Sequence, residues 1–126
     1  MDESESFLEI SWNGAKLWRD KYGQFHRLNG PAIEYANGDQ SWFEHGLLHR
    51  IDGPAMTFYR GGGKWHYRWH KKGIMHREDG PAVICSGGEK EWWLDGVFYQ
   101  TKELFFDALS DEVKMKCLFS KDFLNG

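Results

Sequence analysis

Three His-Arg pairs are the residues most able to do chemistry in this chain. They are His26-Arg27, His49-Arg50 and His76-Arg77, and each opens a copy of one heptapeptide: HRLNGPA, HRIDGPA and HREDGPA. A guanidinium is a planar fork that grips phosphate or carboxylate with two parallel hydrogen bonds. Three forks in a row, with a Trp or Tyr face nearby for a base, would make a strip for a nucleotide or an acidic peptide. The same residues also fit a hydrogen-bonded corner. There Arg would reach carbonyls of the neighbouring unit, and Asn29, Asp52 and Asp79 would close Asx-type turns before Gly-Pro. Regular repetition favours the corner, because every unit must solve the same junction.

Other constellations carry less. His45/His49 and His66/His70 have the spacing of paired metal ligands only if they lie on a helix, and here they fall on strands and corners. No metal site is expected. Catalysis needs a nucleophile beside a base. Cys85 reads as mid-strand and Cys117 as part of an apolar helix face, where thiols are inert packing. The string RGGGK lies within a hairpin and does not open a helix, so it is no phosphate loop. The expectation is a protein without catalytic activity and without a cofactor.

The repeats define the elements that must position the His-Arg pairs. Successive pairs are 23 and 27 residues apart, while Trp42, Trp69 and Trp92 step by 27 and then 23. The reversal puts extra residues of the middle unit between Ala55 and Trp69, where they lengthen one hairpin tip. Each unit reads as a short strand (PAIEY), a turn (ANGDQ) and a return strand (SWFEHG). Asn37-Gly38 suits the positive φ angles of a tight turn, and all three prolines sit at the first residue of a strand. Ala32, Ala55 and Ala82 leave room for the indoles, which would stack as a ladder. Ile33, Tyr35, Met56, Phe58, Val83 and Cys85 fall on the opposite face. A further hairpin, FLEISWNGAKLWRDKYG, precedes the first copy. From Thr101 onward the pattern is helical, with Thr101 and Ser110 as N-caps. Leu104, Phe105, Ala108 and Leu109 would form one apolar face, and Val113, Cys117 and Leu118 another.

Composition agrees with this plan. The chain has 126 residues, 40% hydrophobic, with seven Trp and 15 Gly. That suits one small, turn-rich domain with large rings packed on small residues. The formal charge of −3 argues against non-specific nucleic-acid binding, which needs a basic face. The opening MDESESF is acidic and lacks the apolar core of a signal peptide. No stretch reaches the roughly 18 apolar residues of a membrane span. A soluble, cytoplasmic protein with free thiols is expected.

The glycine-framed hairpins, with an aromatic on each return strand, resemble MORN-type repeats. The string His-Arg-x-[Asp/Asn]-Gly-Pro-Ala looks like the MORN-like repeat proteins of bacteria and their phages. The resemblance covers about residues 7 to 99. It implies a mainly β fold, an array of about four antiparallel β-hairpins ended by a short C-terminal helical tail over residues 100–126, within one domain. It also implies a non-enzymatic binding role toward a protein partner, such as a host or toxin protein; a phage-encoded copy would act in the host cytoplasm. The alternative is sequestration of an anionic nucleotide by the row His26/Arg27, His49/Arg50 and His76/Arg77. A homodimer is expected, because one sheet and one short tail leave apolar surface to cover.

Overall fold

The structure is a computed structural model that describes residues 5–126. The fold is mainly β. In chain order the strands are β1 (Phe7–Ile10), β2 (Lys16–Arg19), β3 (Ile33–Glu34), β4 (Gln40–Ser41), β5 (Phe43–Glu44), β6 (Leu47–Leu48) and β7 (Met56–Gly61). They continue as β8 (Lys64–Arg68), β9 (His70–Lys71), β10 (Ile74–Met75), β11 (Val83–Ile84), β12 (Lys90–Leu94) and β13 (Val97–Tyr99). Three short helices follow: α1 (Lys102–Asp107), α2 (Asp111–Cys117) and α3 (Lys121–Leu124).

Nine strands form one antiparallel sheet in the order β1-β2-β3-β4-β7-β8-β11-β12-β13. The pairs β5-β6 and β9-β10 stand apart from it. The separation falls at the tryptophans: Trp42 divides β4 from β5, and Trp69 divides β8 from β9. Each of these two return strands therefore serves three partners. Its first half pairs with the opening strands of its own and the next unit, and its second half pairs across a tight turn. The middle hairpin, β7-β8, is the long one, with an irregularity between Tyr59 and Gly61.

Backbone bonds pair three tryptophans with the motif alanines. Trp18 N–H donates to the Ala32 carbonyl at 2.8 Å, Trp42 to Ala55 at 2.7 Å and Trp69 to Ala82 at 2.8 Å. All three alanines are fully buried. Trp18 thus starts the series that the sequence pattern begins at Trp42, and the expected stack of indole on indole is corrected: Arg27, Arg50 and Arg77 lie over the Trp18, Trp42 and Trp69 rings. The first hairpin has the register Leu8↔Trp18.

Two kinds of turn alternate along the array. At the tips, Gly14, Gly38 and Gly88 have positive φ, but Asn37 does not. The expected Asn-Gly pair is therefore corrected: glycine alone takes the left-handed conformation there. At the other end, His45, Lys72 and Asp95 have φ of 45°, 49° and 48°, each followed by a positive-φ glycine. Two successive positive φ values define the turn that matches strand twist.

The tail packs on the last hairpin. Thr101, Ser110 and Ser120 cap the three helices, each side chain accepting from a backbone N–H three residues on. Trp92, Phe105, Leu109, Cys117 and Phe123 form a buried cluster. Leu104, Ala108 and Leu118, expected on the apolar faces, are exposed. The helices are too short to bury a broad stripe, and each contributes one or two anchors. At the opposite end of the sheet, Phe7, Leu8 and Ile10 of β1 stay more than half exposed. No helix among the described residues is long and apolar enough to cross a membrane.

Candidate functional site

The three His-Arg loops have one geometry. Arg27 lies over the Trp18 ring at 3.8 Å, Arg50 over Trp42 at 3.9 Å and Arg77 over Trp69 at 3.9 Å. The opposite face of each guanidinium rests on the glycine three residues on. A Cβ built on Gly30, Gly53 or Gly80 would stand 2.7–2.8 Å from the Arg Cζ. Nη1 of each Arg donates to the carbonyl of the motif proline: Pro31 at 3.2 Å, Pro54 at 3.3 Å and Pro81 at 3.1 Å. The partner carbonyl belongs to the same loop, and not to the neighbouring unit. Arg50 and Arg77 also use Nε, donating to Asp52 at 3.0 Å and Asp79 at 2.9 Å. The Arg50 bond and charge hold the Asp52 carboxyl below its usual range. Asp52 and Asp79 therefore face Arg in the loop.

Each histidine binds the far turn of its own unit. Nδ1 of His26 accepts from the N–H of His45 at 2.9 Å, His49 from Lys72 at 2.9 Å and His76 from Asp95 at 2.8 Å. These donors are the left-handed turn residues. The Arg N–H completes the clasp: Arg27, Arg50 and Arg77 donate to the carbonyls of Phe43, His70 and Trp93. A backbone N–H can only donate, so each Nδ1 must be unprotonated in the clasp.

The fourth indole has no arginine. Trp92 meets Phe105 and Phe123 instead, with ring centroids 5.0 Å and 5.9 Å away. The tail also seals the third loop. Cys117 Sγ donates to the Glu78 carbonyl at 3.2 Å, Ser120 Oγ to the Asp79 carbonyl at 2.5 Å, and Asp122 accepts from Arg77 Nη2 at 2.6 Å. The first two loops have no such cover. Among the described residues, Nη2 of Arg27 and Arg50 makes no hydrogen bond, and the carbonyls of Leu28, Asn29, Ile51 and Asp52 accept none.

Two grooves follow the loops. One, of about 500 Å³, lies between the first two loops and is lined by Leu28, Trp42, His49, Arg50 and Ile51 among others. The second, of about 740 Å³, lies between the second loop and the tail, with Ile51, Trp69, Lys71, Lys116 and Phe119 in its walls. Ile51 is 88% exposed and Phe119 83%.

Among the sequence-predicted residues, the structure joins each Arg to the Trp of the preceding hairpin and each His to the turn of its own unit. Trp42 and Trp69 carry Arg, whereas Trp92 belongs to the tail cluster. Sequence reasoning missed Trp18, the turn donors His45, Lys72 and Asp95, and Asp122. Trp18 had a signal, since it precedes His26 by one residue more than Trp42 precedes His49. His45 serves neither as an i,i+4 partner nor on a helix. Its Nδ1 meets buried Asp20 at 2.9 Å, and its ring stacks on His26 at 3.8 Å. Cys85 and Cys117 both have thiols pushed up by burial, with nearby carboxylates adding to it.

Compared with protein-family models, curated proteins and solved structures, the chain matches none.

Proposed function

We propose that this chain is a non-catalytic, MORN-like binding module that holds a protein partner in the grooves between successive His-Arg loops. One observation carries the reading. Ile51 stands almost fully exposed on the lip of both grooves, beside walls whose arginines are already fixed. A large apolar side chain on a rigid concave rim suits a protein anchor. Pre-fixed Arg and Trp lower the ordering cost of association. The raised thiols support a role other than nucleophilic catalysis.

A second reading keeps one observation of its own. The open Nη2 groups of Arg27 and Arg50 would suit an anionic nucleotide.

The test is native mass spectrometry of the chain captured from its source cells, beside the variants Ile51→Asp and Phe119→Asp. Both positions are exposed, so the fold tolerates them. The expected result is a co-purifying polypeptide that either variant releases. A polypeptide retained equally by both variants would overturn the groove assignment. A retained mass of a few hundred daltons, lost in Arg27→Lys/Arg50→Lys, would replace the partner reading with nucleotide sequestration.

A further inference from the structure

The third His-Arg loop is already occupied, and its occupant is a segment of this chain. Ser120 and Asp122 reach it from the start of α3. The Ser120 oxygen accepts from the Phe123 N–H at 3.2 Å as a helix cap and donates its own proton to the Asp79 carbonyl. Asp122, two residues on, takes Arg77 Nη2. The sequence Ser-x-Asp at a helix start thus presents one donor and one carboxylate at the spacing of a loop carbonyl and an arginine fork. Both residues are also favoured at that place in a helix, by capping and by the helix dipole.

The first and second loops carry the same two acceptor and donor points without an occupant. Asn29 and Asp52 stand where Asp79 stands in the motif, and their carbonyls are open. Arg27 and Arg50 have the same Trp stack and the same proline bond as Arg77, with Nη2 open. The residue after Arg differs in kind: it is Glu78 in the occupied loop, but Leu28 and Ile51 in the open ones.

We propose that the first two loops each bind a helix start bearing Ser or Thr with Asp or Glu two residues on, supplied by the protein partner. The hydroxyl meets the carbonyl of Asn29 or Asp52, the carboxylate meets Nη2 of Arg27 or Arg50, and Leu28 or Ile51 packs beside it. The tail is the internal version of that ligand. This assignment rests on the partner-binding reading and gives its site a chemistry.

The probe is a capped peptide of sequence Leu-Phe-Ser-Lys-Asp, as in residues 118–122, titrated into the full chain. The readout is the ¹⁵N–¹H resonance of each arginine side chain. Arg27 and Arg50 should shift and saturate while Arg77 stays still. A peptide with Asn in place of Asp should need about tenfold more to saturate, as expected for loss of a charged hydrogen bond. In the Asp122→Asn variant, Arg77 should join the responding set. Equal response to the Asn peptide, or no response of Arg27 and Arg50, overturns the proposal. So does displacement of the peptide by ADP from the same two arginines, which would make the site one for small anions. If the peptide fails while Ile51→Asp still releases the polypeptide, the groove stands and only this chemistry falls. If both fail, the partner reading falls with it.

Discussion

The guanidinium of Arg50 lies over the Trp42 indole at 3.9 Å and fills the space that a Cβ on Gly53 would need, 2.8 Å from Cζ. That relationship explains why glycine follows each His-Arg pair by three residues. Gly53 does not need positive φ; it needs the absence of a Cβ. Gly53→Ala should displace the guanidinium and cost about 1–3 kcal/mol, the usual range for overpacking. In an Arg50→Ala background the same change should be close to neutral. A double-mutant cycle on melting measures the coupling, and additive effects would refute the contact.

The histidine clasp makes a separable claim. His49→Ala removes the acceptor of the Lys72 N–H and should destabilise by about 1 kcal/mol. Hydrogen exchange should accelerate at the Lys72 amide, which lies 23 residues away in sequence. Uniform acceleration along the chain would mean that the clasp is not local.

Lys72 holds φ of 49° without the freedom of glycine. Lys72→Gly relieves that conformation and keeps the N–H bonded to His49. It should stabilise the fold by about 0.5–1 kcal/mol. Thermal unfolding checks the sign.

Asp20 and His70 set opposite groups against acid. Burial works against the Asp20 charge, but His45 and the N–H groups of Gln24 and Tyr22 outweigh it and hold the carboxyl below its usual range. Its contribution is therefore complete above about pH 4 and is lost as pH falls through the lower folded value. Asp20→Asn should remove that contribution at neutral pH and converge with the wild type in acid. Denaturant titration at several pH values tests this.

Burial, helped by Arg68, lowers the affinity of His70 for a proton. The unfolded chain binds a proton near pH 6.5 and the folded one only lower, so stability should rise with pH across that window. His70→Phe should flatten this segment of the pH profile. A slope unchanged in the variant would assign it elsewhere.

The repeat period, hairpin phase and tail caps were legible because local chemistry fixes them. Glycine marks turns, and Thr101 and Ser110 cap helices; proline only comes close, because β3, β7 and β11 begin at Ile33, Met56 and Val83, two residues after the expected first position. The equivalence of Trp42 and Trp69 was legible, since their spacing follows the motif, but not the arginine that covers each ring in place of another indole. The clasp was not. It joins His49 to a backbone N–H, and a backbone group leaves no mark in residue type. Lys72 and Asp95 hid for the same reason, since neither residue suggests a left-handed turn. Asp122 was illegible because its role depends on where a short helix lands.

Each clasp closes within one unit, from its His-Arg loop to its own turn, while each Arg reaches back over the Trp of the unit before it. The outgoing surface of a unit is therefore complementary to the incoming surface of a copy of itself. Such a joint behaves as a connector with matched male and female ends. Duplication of one whole unit in the gene would extend the array without remodelling either terminus, whereas a partial duplication would leave a loop with no turn to grip.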